Sequence, residues 1–136
     1  MPLQSNIEEI AGNFALFDDW EERYRYLIDL GRELPAMDSA LKTEENFVQG
    51  CTSRVWMQAE IGEDGVFHFV ADSDAHIVRG LIALLVIAYD GKKVAEISGI
   101  DIEGIFREIG LDQHLSPNRR SGFFAMVGRI KALAAS

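Results

Sequence analysis

Apolar positions in the first third of the chain repeat with the period of a helix. Trp20, Tyr24, Leu27, Ile28 and Leu34 fall on one helical face. Asp18 is read as the cap, Gly31 as a weak point near the end and Pro35 as the stop. The period then changes to two: Val55, Met57, Ala59 and Ile61 alternate with Arg54, Trp56, Gln58 and Glu60, which predicts a strand over Ser53 to Ile61. Gly62-Glu63-Asp64-Gly65 supplies turn chemistry, and the Phe- and Val-rich run from Val66 to Ala71 completes an antiparallel hairpin. Glu45 to Val48 is the candidate for a third strand.

Beyond the capping oxygens of Asp72-Ser73-Asp74, the stretch from Ile77 to Tyr89 is apolar on almost every side, which predicts a helix buried among several neighbours. Asp101 is placed to cap a short helix through Glu108, with Gly110 as its left-handed terminator. Ser116 caps and Pro117 opens a last helix whose buried stripe is Phe123, Val127, Ile130 and Ala134. The order of helix, small sheet and several helices predicts an α+β fold: a small antiparallel three-stranded sheet with helices packed on one face.

Composition narrows the function classes. A chain of 136 residues with 48% hydrophobic content fits one domain, 1–136. Thirteen Lys and Arg against 22 Asp and Glu give a net charge of −9, the opposite of what a phosphate backbone selects, so no nucleic acid is expected as a partner. The nearly unbroken apolar run Leu81 to Tyr89 covers nine residues, short of the ~20 a membrane span needs. The start, MPLQSNIEEI, lacks the pattern of a secretory signal, so the expected location is cytoplasmic with no membrane partner. A monomer is the default expectation, since no long apolar stripe is left over once the core is assigned. The cysteine count is one, which rules out an internal disulfide, a CxxC pair or a multi-thiolate metal site.

That residue, Cys51, lies in Gln49-Gly50-Cys51-Thr52-Ser53, on a connection between two apolar-polar runs. Gly50 before it frees the backbone, and small polar residues after it leave the sulfur without an apolar cage. Both suit a thiol that must reach another protein, although an isolated cysteine also serves as a small buried hydrophobe. A reactive thiol needs help to ionise, since its ordinary pKa of about 8.5 leaves only a few per cent thiolate at neutral pH. Arg54 and Arg119 are the candidate cations. Arg119 and Arg120 stand in the first turn after the Ser116 cap, where the helix dipole disfavours positive charge by roughly 0.3–1 kcal/mol. A surface ion pair or an anion at the cysteine connection would compensate. Asp74 is either a helix cap or a residue that holds that connection in a resting state. His68 is read as structural, while His76 and His114 are candidate bases for a stand-alone thiol enzyme.

Three segments carry a resemblance: Val48-Gln49-Gly50-Cys51-Thr52-Ser53-Arg54-Val55-Trp56, Asp72-Ser73-Asp74-Ala75-His76-Ile77-Val78-Arg79-Gly80-Leu81, and His114-Leu115-Ser116-Pro117-Asn118-Arg119-Arg120-Ser121-Gly122. In kind, order and separation they are similar to the SufE family with its CsdE relatives, from about Phe17 to the end of the chain. The resemblance implies a SufE/IscU-like fold and a sulfur acceptor that stimulates a cysteine desulfurase of the SufS or CsdA type. Cys51 matches the family's persulfide-forming cysteine, with Gly50, Asp74 and Arg119 in supporting positions. Sulfur would pass to a scaffold such as SufBCD for iron–sulfur cluster assembly. The pyridoxal phosphate belongs to the partner, so no cofactor and no metal of its own is implied, and the chain would be a carrier rather than an enzyme. Ser121 departs from the Asn more usual there. A carrier should also shelter its sulfur between partners, so the Cys51 side chain is expected against a shallow apolar hollow. The competing readings are the thiol enzyme with a histidine base and a binding module with an inert cysteine.

Overall fold

The computed structural model describes residues 7–34, 37–48 and 53–135. Helices α1 (Ile7–Ala15) and α2 (Trp20–Arg32) come first, followed by a short 3-10 turn at Ser39–Leu41. Strands β1 (Val55–Ile61) and β2 (Val66–Ser73) form the hairpin, and α3 (His76–Tyr89) leads to a two-residue strand β3 (Lys92–Lys93). The short helices α4 (Val94–Ile97), α5 (Ile102–Glu108) and α6 (Leu111–His114) precede the long α7 (Pro117–Ala135). The α+β architecture is as expected, with an antiparallel sheet in the order β1-β2-β3.

Strand alternation sorts the sheet's faces. Val55 and Met57 on β1, with Phe67, Phe69 and Ala71 on β2, are buried under the helices, while Gln58, Glu60, His68 and Val70 are exposed on the other side. β1 pairs with β2 from Val55↔Ser73 to Ile61↔Phe67. Gly65 at φ +77 closes the turn, where a side chain would strain the backbone.

The third strand differs from expectation. Glu45 to Val48 forms no strand: it gives β1 one isolated bridge, Phe47↔Trp56, because residues just before it are curled into a turn. There Asn46 N–H donates to Thr43 O and the Asn46 side chain donates to Leu41 O. β3 supplies the third strand instead, on the far edge of β2, and its short ladder is lengthened by Gly91 N–H to Phe67 O and by Asp90 Oδ1, which accepts from Phe69 N–H. The cap of α2 also moves by one residue. Asp19, not Asp18, accepts from Glu22 N–H at 2.8 Å, since Asp19 O already accepts the first helical bond from Arg23. Pro35, read as the stop, lies outside the described residues. Asp101 caps α5, Gly110 at φ +82 ends it, and Ser116 Oγ accepts from Arg119 N–H, as the sequence predicts.

α3 is buried from Val78 through Tyr89 on nearly every side, and α7 buries Phe123, Val127, Ile130 and Ala134 as predicted. Gly31 proves to be a packing device rather than a weak point. A Cβ at Gly31 would lie 2.6 Å from Gly80 N, and one at Gly80 would collide with Leu27 O, so α2 and α3 touch backbone to backbone. Among the described residues, no helix is long and apolar enough to cross a membrane.

Gly80→Ala should therefore destabilise the protein by about 2 kcal/mol net, because overpacking outweighs the helix-propensity gain. Urea unfolding reads it as a lower midpoint with unchanged slope; a midpoint equal to or above the parent's would show that the helices have room to part.

Candidate functional site

The connection that carries the cysteine is framed by described residues on both sides. Upstream, Val48 N–H donates to Val55 O at 2.9 Å and Met57 N–H donates to Asn46 O at 2.7 Å. Downstream, Ser53 and Arg54 lead directly into β1. Residues 49–52, including Gly50 and Cys51, lie outside the described residues, as does the expected placement of the Cys51 side chain.

Asp74 and Arg119 both come to the downstream frame. The β1–β2 register sets Arg54 opposite Asp74, one step beyond Val55↔Ser73. Asp74 N–H donates to Arg54 O at 3.3 Å, and Asp74 Oδ1 accepts from Arg54 N–H at 3.1 Å. Asp74 is thus tied to the cysteine connection and does not cap α3, whose N-cap Ala75 has no side-chain cap. The neighbouring Ser73 Oγ instead accepts from Ala75 N–H. From the first turn of α7, Arg119 Nη1 donates to Ser53 Oγ at 3.0 Å. Arg120 leaves in another direction, and its Nη1 donates to Asp112 O. Among the described residues no ion pair involves Arg119, so a guanidinium beside the connection rests on a neutral hydroxyl.

Next to Ser53 lies a hollow with apolar walls, Val78 and Leu81 from α3 and Phe123 and Met126 from α7, with Asn118 and Arg119 at its polar side. Its open volume of about 10 Å³ suits a single small group and not a substrate, since pockets for small molecules run to hundreds of Å³. Behind the hairpin's end, Asp72 faces Lys42 Nζ at 3.1 Å and Arg79 Nε at 3.0 Å, the latter an ion pair not aligned as a hydrogen bond. Lys42 also sits over the Trp56 ring at 5.4 Å, joining the segment before the cysteine to β1.

The candidate histidine bases are elsewhere. His114 stacks on Trp20 at 3.8 Å between centroids and its carbonyl accepts from the Tyr24 hydroxyl. His76 is exposed at the start of α3, and His68 Nδ1 is 3.5 Å from Asp90. Among the described residues, no hydrogen bond or ion pair joins a histidine side chain to Ser53, Arg54 or Arg119. Sequence reasoning missed Ser53 as the group that receives Arg119. Its signal was position, a hydroxyl two residues from the thiol.

If Asp74 holds the connection, Asp74→Ala should speed hydrogen exchange of the Arg54 amide about tenfold, the loss of one hydrogen bond, while Asp74→Asn keeps most of the protection. An Arg54 amide equally protected in the alanine variant would show that the ladder alone holds it.

Comparison with known proteins gives this arrangement its relatives. The sequence profile of SufE, described as a Fe-S metabolism associated domain, matches residues 8–134. An uncharacterized SufE-like protein of Rhizobium meliloti (strain 1021) is 45% identical over 133 residues, 96% of this chain and 95% of the relative. A SufE-like protein of Rhizobium etli, also uncharacterized, is 43% identical over 132 residues, 95% of this chain and 89% of the relative. The solution structure of a hypothetical protein from Thermus thermophilus matches with a TM-score of 0.77 over 95% of this chain and 93% of that one; at 19% identity this is a likeness of fold. Since the family match runs from the first turn of α1 to the last turn of α7, the chain belongs to the SufE family, whose domain is associated with Fe-S metabolism.

Proposed function

We propose that this protein is a sulfur carrier: Cys51 accepts sulfur from a pyridoxal-phosphate-dependent cysteine desulfurase of the SufS or CsdA type, the docked chain stimulates that enzyme, and the sulfur passes to a scaffold such as SufBCD. The observation that carries the reading is that Asp74 and Arg119 converge on the two residues that follow the cysteine connection. Ser53 is two residues from Cys51, and two residues of chain span at most about 7 Å. An arginine that has no ion-pair partner among the described residues favours an anion on a sulfur at that distance.

The transfer is a thiol–disulfide type exchange. The Cys51 thiolate attacks the outer sulfur of the donor's persulfide, a new S–S bond forms at Cys51, the donor's S–S bond breaks and the donor cysteine leaves as thiolate. No electrons are gained or lost overall. Arg119, by stabilising negative charge, would raise the fraction of attacking thiolate and later hold the Cys51 persulfide anion. Between partners the apolar hollow beside Ser53 would shelter the terminal sulfur, and docking would favour the state in which it is withdrawn. A self-sufficient thiol enzyme is the weaker reading, because the hollow beside Ser53 has no room for a substrate.

Incubation with a desulfurase and cysteine should add one sulfur atom to the intact mass, removable by reductant, and Cys51→Ser should abolish the gain. A parent chain that stays unmodified with every desulfurase of the SufS or CsdA type would remove the basis for a relay. Replacement of Arg119 by Met should shift the pH profile of Cys51 alkylation upward by about one unit and slow sulfur acceptance at neutral pH about threefold, the tenfold loss of thiolate being partly offset by its greater nucleophilicity, with Lys intermediate. Superimposable profiles for parent and Met variant would mean that Arg119 only braces Ser53.

A further inference from the structure

Helix α3 has a hollow at each end. Val78 in its first turn lines the small one beside Ser53, and nine residues later, about 14 Å along the axis, Ile87 and Ala88 line a larger one of about 610 Å³. That volume is in the range of binding sites, and half-buried Ile100 and Ile105 add to its apolar lining. Glu8 and Glu108 are shared with a further hollow of about 250 Å³ against Ala11, Gly12 and Ala15 of α1, so the two join as one groove between α1 and α5. This side of α1 is uncovered: a Cβ on Gly12 would meet nothing within 4 Å. Leu16, next after Ala15, is 77% exposed, far more than any other large apolar side chain among the described residues.

Charge distinguishes the groove from a bare apolar face. In the larger hollow Glu8, Asp101 and Glu108 stand against Lys92, and among the described residues none of the four is in an ion pair. Asp101 is used as the cap of α5, and Glu8 suits the first turn of α1. Glu108 has no such reason, since it ends α5, where the helix dipole disfavours a carboxylate. Arg23 at the smaller hollow does not answer it: the guanidinium donates to Phe17 O and Ile109 O and lies over the Trp20 ring. Tyr89, which follows Ala88, keeps a buried hydroxyl with no hydrogen-bond partner among the described residues. Burial first, then Glu103 and Asp101, push its pKa up to about 12, so it stays a donor.

We propose that the groove between α1 and α5 is a docking site for a short segment of a partner protein that carries both basic and apolar side chains. Its cations meet Glu8 and Glu108, and its apolar groups cover Ile100, Ile105 and Leu16. A groove that continues over two hollows fits a length of chain better than a single small molecule. A nucleic acid or a second copy of this chain, with its net charge of −9, would be repelled by the carboxylates.

The test is a titration of the isotope-labelled full-length chain with the peptide acetyl-Lys-Leu-Lys-Leu-Lys-amide, followed by amide chemical shifts. The amides of Gly12, Gly99, Gly104 and Ile105 should move. Glu8→Gln and Glu108→Gln should each weaken binding about threefold, as for exposed charge pairs, while Glu44→Gln, an exposed acid that does not line the groove, should leave it unchanged. Serine in place of both leucines of the peptide should weaken binding at least about tenfold. The proposal is overturned if the shifts fall elsewhere or do not occur, or if Glu44→Gln weakens binding as much as the groove variants, which would mean a general attraction to an acidic chain. It is equally overturned if lysine amide alone binds as tightly as the peptide, the mark of a small-cation pocket, or if the same amides move when the chain is concentrated without peptide, the mark of self-association. The proposal goes beyond the sulfur-carrier reading and fails separately from it, because the titration needs no desulfurase and the mass gain from a desulfurase needs no groove.

Discussion

The antiparallel register that sets Val55 against Ser73 is the constraint on which the site depends. It buries the alternate residues of β1 and β2 under α3 and α7, so a slip by one residue would turn Val55, Met57, Phe67 and Phe69 out to water. The same register places Arg54 against Asp74 and delivers Ser53 to the first turn of α7. Core burial therefore fixes the geometry of a surface site, and the chain needs no separate device to bring residues 53, 74 and 119 together. The backbone contact of α2 with α3 at Gly31 and Gly80 supports this by holding α3 close under the sheet's end.

What the sequence discloses follows from range. The hairpin, α3, α5 and α7 are legible because their signals are local and repeat: alternation in Val55 to Ile61, an apolar run to Tyr89, and cap residues Asp101 and Ser116 at their helix starts. β3 has two residues, too few for any period, and it is defined by its partner on β2. Glu45 to Val48 has a strand-like composition that its own Asn46 side chain overrides through the bond to Leu41 O. α1 carried only a thin signal, Ile10 and Phe14 four residues apart across an exposed Gly12. The pairing of Gly31 with Gly80 has no local trace at all. At the site, Arg119 could be noticed because a cation in a first helical turn breaks a local rule, and such breaks mark functional places.

On the proposed carrier reading, labile sulfur has to be sheltered at rest and released on docking, and the ties at the described flank of the cysteine connection bear on both. The downstream flank is held by the Arg119–Ser53 and Arg54–Asp74 hydrogen bonds, at part-buried or exposed positions. Each involves a charged group, and such bonds contribute roughly 1.5–3 kcal/mol net. On the carrier reading, a neutral hydroxyl opposite Arg119 is thus the suitable choice: it holds the guanidinium without neutralising it, and gives it up when an anionic sulfur offers a better bond.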